Sequence, residues 1–346
     1  MLTLAHIFIV PTKPFWRRCK LLLGLLDPLK LKGVTFKNRI VMPPMQSGRA
    51  SFKGEVTNRL INFYALRCEA VGLPIVEHSY IAPMGKIGPK QLGIHDDSLI
   101  AGFGKLVSAL HGLDAPAVVQ INHAGGVANN RVISAQPAGP SKRGKTRGLS
   151  VDEMYVIANE FALAADRAVR AGFDGVELHG AHGYLLNQFF SPLINKREDE
   201  FGGSLENRMR FPLFVVEKVR SILGGKLLLY RLGADDLAPN GTHIEDSVIF
   251  ATKLEQAGVD IIDVSGGMCG SEPKQLRSVS GYFVPQASQI KLAVKVPVIG
   301  VGGIREAKVA DQIVRDGKVD LVAIGRALWH DSGWAKKAAQ TLTPLS

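Results

Sequence analysis

The sequence predicts an α/β protein, a (β/α)8 TIM barrel with an N-terminal hairpin, and two observations carry this prediction. From Asn38 onward, short runs of apolar and β-branched residues alternate with longer amphipathic stretches. This alternation is the pattern of βα units around a parallel sheet. Eight such units fit into about 300 residues, as a closed barrel requires. An open, doubly wound sheet is the alternative that the same pattern allows.

The predicted strands are rich in Val, Ile and Leu, as expected for parallel strands that are covered on both faces. They span Arg39–Met45, Pro74–Ile81, Ala117–Asn122, Gly175–His179, Leu227–Leu232, Ile261–Ser265, Val298–Val301 and Leu321–Gly325. The amphipathic stretches predict helices that include Asn58–Val71, Val151–Ala171, Leu205–Leu223, Ile244–Ala257 and Arg305–Arg315. One domain with no internal linker follows from this alternation.

Two local signals mark the ends of predicted elements. Gly33 lies in the middle of the segment Leu29–Lys37, which predicts a hairpin able to plug the bottom of the barrel. Ser150 and Glu153 have the spacing of a capping box, in which each side chain accepts a hydrogen bond from the backbone of the other residue. The spacing therefore predicts that a helix begins at Val151.

The first 25 residues differ in character from the rest of the chain. The apolar stretches Leu2–Val10 and Leu21–Leu26 flank a basic run, and neither reaches the roughly 20 residues that span a bilayer. The order of charge and apolar residues also differs from that of a signal peptide. We expect residues 1–25 to form an N-terminal extension, with a translation start assigned too early or a peripheral membrane contact as alternatives. Residues 26–346 are expected to form the barrel domain.

Composition and charge narrow the function classes. The chain has 346 residues, of which 46% are hydrophobic and 21% charged, as in globular proteins. The net charge is +11, but almost half of it lies in the first 32 residues, which argues against a nucleic-acid groove built into the fold. Cys19, Cys68 and Cys269 are odd in number, far apart in the sequence and without CxxC spacing, so neither a disulfide framework nor a cysteine metal cluster is predicted. A reducing, cytoplasmic location is predicted.

Polar residues and glycines cluster where the predicted strands end, which is where the active site of such a barrel lies. They are Pro44, Met45 and Gln46 at the first strand, His78 at the second, Gln120 and His123 at the third, His179, His182 and Tyr184 at the fourth, Arg231 at the fifth, and Gly266, Gly267, Gly302, Gly303, Gly325 and Arg326 at the last three. Three successive glycine turns let backbone amides approach a flat or anionic group. Since loops after the last two strands usually bind phosphate, a phosphorylated cofactor is predicted.

The pair His179 and His182 has three interpretations: a metal site, structural core residues, or a hydrogen-bonding pair at the barrel mouth. No carboxylate or cysteine nearby completes a metal ligand set, so no metal is predicted. Tyr184, a potential proton donor, makes the hydrogen-bonding pair the more useful interpretation.

Other polar residues keep two interpretations each. Gln120 either satisfies buried backbone groups or contacts a ligand, and Arg231 either forms an interior ion pair or binds an anion. The basic run Lys142–Arg147 is either a solvated face or a site for an anionic substrate tail or a nicotinamide phosphate.

A longer stretch of sequence carries a specific resemblance. The segments HGAHGYLLNQFFSP at 179–192, NKR at 195–197 with Asp199, and FGGSLENR at 201–208 closely resemble the signature of the old yellow enzyme family. Asn38–Met42, Gln120 with His123–Gly125, and Ile324–Arg326 match that family in order and spacing. The resemblance covers about residues 26 to 340. The sequence is identified as a member of this family in its single-domain form.

The resemblance implies an NADH:flavin oxidoreductase of the ene-reductase type. Such an enzyme contains FMN and reduces the activated C=C bond of an α,β-unsaturated carbonyl compound, with NADH or NADPH as hydride donor. The resemblance implies that His179 and His182 hold the substrate carbonyl oxygen and that Tyr184 donates the proton. The implied cofactor residues are Pro44, Met45, Gln46 and His78 at the flavin ring, Gln120 and Arg231 at its pyrimidine edge, and Gly302, Gly303, Gly325 and Arg326 at the phosphate.

The sequence also departs from the family pattern. Gln46 stands where relatives place a threonine or cysteine near the flavin, and the chain reaches Ser346 without the cysteine-rich segment of larger relatives. We therefore expect no internal electron relay. The expected partners are an enone-type substrate, a nicotinamide and further copies of the chain. The alternatives are a flavin-binding electron-transfer subunit of a larger redox complex and an FMN barrel acting on tRNA pyrimidines, although no cysteine acid suits the latter.

Overall fold

The computed structural model describes residues 23–343, and twelve β-strands lie within that range. They are β1 (Leu29–Leu31), β2 (Val34–Phe36), β3 (Ile40–Met42), β4 (Leu73–Tyr80), β5 (Val118–Asn122), β6 (Ala138–Gly139), β7 (Arg147–Gly148), β8 (Gly175–Gly180), β9 (Leu227–Gly233), β10 (Ile261–Ser265), β11 (Val298–Gly300) and β12 (Leu321–Ala323). Eight of them, β3 to β5 and β8 to β12, form a closed parallel barrel in chain order. The circle closes where Val322 of β12 lies opposite Ile40 of β3. The predicted (β/α)8 barrel is confirmed.

All eight predicted strands are present, and Ile261–Ser265 has the predicted bounds. The largest difference concerns the first barrel strand, which ends at Met42 instead of Met45. Pro43 and Pro44 follow at once, and because proline has no backbone N–H it cannot continue the ladder of a central strand.

The N-terminal hairpin is confirmed, and it lies against the inside of the barrel. Strands β1 and β2 pair antiparallel around Lys32 and Gly33, both of which have positive φ, as a two-residue hairpin turn demands. Phe36 is completely buried and packs with inward-facing apolar residues of the barrel. Those residues are Val41, Leu73, Ile75, Val118, Leu227, Leu229, Ile261, Ile299, Leu321 and Ala323. The hairpin therefore plugs one end of the barrel and leaves the other end for the site.

Within residues 23–343, helices follow the barrel strands along the chain, and all of them except the short helix Asn130–Ile133 contain buried residues. They are α1 (Asn58–Cys68), α2 (Ile100–His111), α3 (Asn130–Ile133), α4 (Val151–Arg170), α5 (Leu185–Phe190), α6 (Leu205–Leu223), α7 (Ile244–Gln256), α8 (Val284–Ala293), α9 (Ala307–Arg315), α10 (Arg326–His330) and α11 (Trp334–Leu342). Helix α6 has the predicted bounds, and α4 begins at Val151 behind the Ser150–Glu153 capping box. Helix α9 starts at Ala307 rather than at Arg305, because Glu306 is still in an extended conformation.

The prediction for residues 1–25 concerns a segment of which all but the last three residues lie outside the described range. Within that range, Leu25 is buried, and its amide donates to Asp311 Oδ1 at 2.8 Å. None of the helices within residues 23–343 combines the length and the apolar character that crossing a membrane would need.

Candidate active site

A cavity of about 400 Å³ opens at the carboxyl ends of the barrel strands. Its lining brings together most of the predicted site residues: Pro44, Met45, Gln46, His78, His179, His182, Tyr184, Arg231, Gly303, Gly325 and Arg326. These residues come from the ends of six different strands and from the turns that follow them. The volume lies in the range of small-molecule and cofactor sites.

Three aromatic side chains from β8 and its following turn form one wall. The rings of His179 and His182 meet edge to face with centroids 5.1 Å apart, and Tyr184 lies 4.7 Å from His179. His78, from β4, lies 5.4 Å from Tyr184. The predicted histidine pair and tyrosine thus share one surface of the cavity.

The backbone after β8 explains how His182 reaches this wall. His182 has a φ of 58°, which is uncommon for a residue other than glycine, and Gly183 follows with a φ of 75°. The His182 amide donates to the carbonyl of Gly266, and the Gly183 amide donates to Asn187 Oδ1 at 2.8 Å. These bonds hold a strained turn, as is common where side chains are positioned for function.

Burial sets the protonation of this wall. It is the main cause that lowers the pKa of His78 to about 4 and the pKa of His179 and His182 well below the ordinary value, with further lowering by neighbouring charges. The three imidazoles are therefore neutral at neutral pH, and each has one N–H donor and one acceptor nitrogen. Burial also raises the pKa of Tyr184, so its phenol keeps its proton.

A polar layer lies beneath the cavity. The Nε atom of Arg231 is 3.3 Å from Asp263 Oδ2, which confirms an interior ion pair. Gln120 Nε2 donates to Glu177 Oε1 at 2.8 Å, and Gln120 Oε1 has no partner within the described residues. Gln120 is completely buried and does not line the cavity itself. The Arg231 guanidinium does face the cavity.

The opposite end of the cavity carries basic side chains and glycines. Arg326 forms an ion pair with Glu272, and its Nη2 lies 3.3 Å from the Tyr282 hydroxyl. Gly303 lines the cavity, whereas Gly302 lies behind it with a φ of 127°. A Cβ at Gly302 would come within 2.7 Å of the Tyr282 ring, so only glycine fits there.

These features fit FMN, which has a phosphate at one end and a polar pyrimidine edge at the other. Arg326 and Gly303 suit the phosphate, because a guanidinium and backbone amides are its usual partners. At the other end, Arg231 lines the cavity, where its guanidinium can bind the polar edge of the flavin. Gln120 Oε1, behind the lining, is a buried polar atom without a hydrogen-bond partner among the described residues. No cluster of metal-ligating side chains occurs in the range 23–343.

The cavity lining differs in part from the residues that the strand ends predict. Five of those residues do not line the cavity: Gln120, His123, Gly266, Gly267 and Gly302. Among the residues that were not predicted, Ser265, Glu272 and Tyr282 do line it. Ser265 was recognisable in principle, because it follows the inward-facing Asp263 by two residues on the same strand. Glu272 and Tyr282 come from a loop without periodicity.

The basic run at 142–147 is partly used within the fold. Arg147 makes two hydrogen bonds to the carboxylate of Glu153, at 2.6 and 2.8 Å, and so supports the capping box. Lys142, Arg143 and Lys145 are exposed or half-buried at the surface. The interpretation of this run as a site for an anionic ligand stays a prediction.

Comparison with known proteins decides the family. The model of the NADH:flavin oxidoreductase / NADH oxidase family matches residues 24–344. The chain belongs to this family. An "NADH oxidase" of Thermoanaerobacter brockii is 40% identical over 324 residues, which are 90% of this chain and 50% of that protein. The chain therefore spans about half the length of this curated relative.

Solved structures of family members share the fold. An old yellow enzyme homologue from Zymomonas mobilis is 26% identical, with a TM-score of 0.81 over 93% of this chain and 94% of that one. A morphinone reductase in complex with tetrahydroNAD is 28% identical, with a TM-score of 0.80 over 93% and 92% of the two chains. A 2-naphthoyl-CoA reductase in complex with 2-naphthoyl-CoA is 25% identical, with a TM-score of 0.85 over 92% of this chain and 52% of that one.

The resemblance seen in the sequence is thus confirmed. The chain is a member of the family described as NADH:flavin oxidoreductase / NADH oxidase.

Proposed function

We propose that the chain is an FMN-dependent ene-reductase that reduces the activated C=C bond of α,β-unsaturated carbonyl compounds. One observation carries the proposal: the imidazoles of His179 and His182 and the phenol of Tyr184 share one wall of the cavity. Glu272, the acidic residue of the lining, is paired with Arg326. A wall of neutral donors suits a substrate that develops negative charge on an oxygen.

His179 and His182 are the proposed donors to the substrate carbonyl oxygen. As the C=C bond is reduced, charge develops on this oxygen, and preorganised donors stabilise it without having to reorient. Neutral imidazoles suit this role, since they donate one hydrogen bond each and do not protonate the oxygen outright. Loss of one such donor typically costs about 3 kcal/mol of barrier height.

Tyr184 is the proposed acid that protonates the substrate α-carbon. Its ring stands beside His179, and burial keeps its proton in place until a strong base forms nearby. An enolate carbon is such a base. Proton transfer from a positioned group of this kind contributes about 10² to 10⁴ in rate.

The remaining predicted site residues are proposed to hold the cofactor. FMN held there would supply the hydride-transfer chemistry between a nicotinamide and the substrate C=C bond. Gln120 and Arg231 would hold the pyrimidine edge, and Gly302, Gly303, Gly325 and Arg326 the phosphate. Pro44, Met45, Gln46 and His78 would contact the ring system. The names of two structural relatives, a morphinone reductase and a 2-naphthoyl-CoA reductase, are those of reductases and support this reaction class.

Anaerobic turnover of an enone tests the proposal. Purified protein, reconstituted with FMN, is expected to oxidise NADH or NADPH in step with the saturation of cyclohexenone. Binding of FMN with nicotinamide oxidation but no enone turnover would instead favour the electron-transfer subunit. Failure to take up FMN would contradict both functions. The homo-oligomeric state and the cytoplasmic location remain predictions, which size-exclusion with light scattering and localisation of a tagged chain would check.

A further inference from the structure

Beneath the proposed flavin site lie two buried carboxyl groups that the proposed reaction does not use. Glu177 on β8 and Asp263 on β10 are both 0% exposed. Their strands flank β9, which carries Arg231. Asp263 is the register partner of Arg231, and Glu177 is the register partner of Leu229, two residues before Arg231 on the same strand.

The contacts of the two carboxyl groups differ. Asp263 faces Arg231, with its Oδ2 atom 3.3 Å from the Nε atom, although neither Asp263 oxygen makes a hydrogen bond within the described residues. Glu177 receives a hydrogen bond from the neutral amide of Gln120 through Oε1, while its Oε2 has no partner within the described residues. Asp263 thus has a cationic partner and Glu177 has a neutral one.

Charge balance limits how many of these groups are ionised. Arg231 is always protonated, so one ionised carboxylate makes the layer neutral and two leave an unpaired negative charge in the barrel interior. An unpaired buried charge is strongly unfavourable, and a carboxyl group avoids it by keeping its proton. The directions of the pKa shifts are consistent with this: burial raises the pKa of both groups, the charge of Asp263 raises that of Glu177 further, and the charge of Arg231 opposes the rise in both.

We propose that Glu177 and Asp263 together carry a single negative charge. In the native protein this charge is on Asp263, and the carboxyl group of Glu177 is protonated and neutral. The two are positioning residues that act through Arg231 and Gln120. This inference rests on the proposed function, in which Arg231 and Gln120 hold the pyrimidine edge of FMN. The two carboxyl groups then determine the net charge beside the pyrimidine edge, and this charge affects the reduction potential of the flavin.

The proposal makes a non-additive prediction. In E177Q, the amide replaces an acid that was already neutral. In D263N, Glu177 loses its acidic neighbour and ionises in its place. Each single variant is therefore expected to change the two-electron reduction equilibrium of bound FMN less than threefold. In E177Q/D263N no carboxylate balances Arg231, and the equilibrium is expected to shift at least tenfold toward reduced flavin, about 30 mV upward.

The measurement is an anaerobic redox titration of the FMN-loaded variants against an indicator dye. A shift in E177Q as large as in the double variant would show that Glu177 is ionised in the native protein and would overturn the proposal. A full shift in D263N alone, or additive single effects, would overturn it as well. D236N is the matched control: Asp236 is a buried carboxylate with its own donors, Ser191, Thr242 and Met268, so its effect should add to that of E177Q.

Unfolding experiments keep the proposal testable if the double variant is unstable. A buried, unbalanced Arg231 is then the expected cause, so adding Arg231→Gln should restore a folded protein. If this triple variant also fails to fold, the carboxyl groups serve packing and the proposal is wrong. If the wild type takes up no FMN, the proposed function fails, and the same non-additivity in unfolding free energy still decides the shared charge.

Discussion

The Nε2 atom of His182 lies 2.8 Å from the Ser265 hydroxyl, whereas Nδ1 of the adjacent His179 has no partner within residues 23–343. The two imidazoles of the wall are therefore not equivalent. His182 is oriented by a hydroxyl and by a turn with positive φ, and His179 keeps an unmatched nitrogen. A ligand oxygen between the rings would meet one imidazole that a hydroxyl orients and one that is held by packing against the rings of His78, His182 and Tyr184.

The left-handed backbone at 182 predicts which substitutions the site tolerates. A phenolate oxygen imitates the developing enolate oxygen, so we expect phenols to bind above the flavin with this oxygen between His179 and His182. Asn adopts positive φ more readily than most other residues and its amide donates hydrogen bonds, so His182→Asn should retain this binding. His182→Ala should weaken phenol binding about tenfold or more, since a hydrogen bond to a charged oxygen contributes about 1.5–3 kcal/mol. Titration of the long-wavelength charge-transfer absorbance with a substituted phenol measures both. Equal loss in the Asn and Ala variants would argue against a donor role.

The ion pair between Glu272 and Arg326 predicts a test of the phosphate end. Glu272→Gln removes a negative charge beside the proposed phosphate site and frees the guanidinium, so the apoprotein should bind FMN on the order of tenfold more tightly at low salt. Riboflavin lacks the phosphate, and its affinity should stay the same. Quenching of flavin fluorescence gives both dissociation constants. Weaker FMN binding in the variant would mean that Glu272 holds Arg326 in place instead.

A buried carboxyl group behind the site predicts a pH dependence of stability. Glu77 accepts a hydrogen bond from the Ser47 amide at 3.1 Å, and burial raises its pKa to about 7. Because the folded state holds this proton more tightly than the unfolded chain, Glu77 makes the free energy of unfolding fall as pH rises from about 4.5 to about 7. Above pH 7 its contribution is constant.

Glu77→Gln should therefore flatten the pH profile of unfolding in that window, where one proton contributes a slope of at most about 1.4 kcal/mol per pH unit. Urea unfolding at a series of pH values is the measurement. Glu206→Gln, at a side chain that is 85% exposed, is the control and should keep the wild-type profile. An unchanged slope in the Glu77→Gln variant would show that Glu77 is not the group that binds this proton.

Much of the fold was predictable because the barrel repeats one simple unit. The runs of β-branched residues predicted all eight barrel strands. Because the site of such a barrel lies at the strand ends, the same prediction indicated His78, His179 and Arg231 as site residues. The Ser150–Glu153 spacing placed the start of α4, since a capping box is a local interaction that depends on four residues only.

The rest depends on interactions between distant segments. Gln120 lies under the cavity because it pairs with Glu177 on the neighbouring strand. The register between two strands cannot be predicted from the sequence of one strand alone. Glu272 and Tyr282 reach the site through an irregular loop, whose path depends on contacts such as the bond from Tyr282 to the Ser271 carbonyl. The strained turn at His182 is likewise held by Gly266, far along the chain.

Tyr184 gives the sharpest test of the proposed chemistry. Tyr184→Phe removes the proton but hardly changes the shape of the side chain, so FMN binding and reduction by the nicotinamide should persist. Reoxidation by an enone should slow by about 10² to 10⁴, which stopped-flow absorbance of the flavin measures. Reoxidation by nitroalkenes should slow much less, because a nitro group stabilises the resulting anion until it takes a proton from water.

If Tyr184 only packs against His179 and His78, the variant will instead lose stability and slow both half-reactions together. Equal slowing with enone and nitroalkene would show that Tyr184 is not the acid.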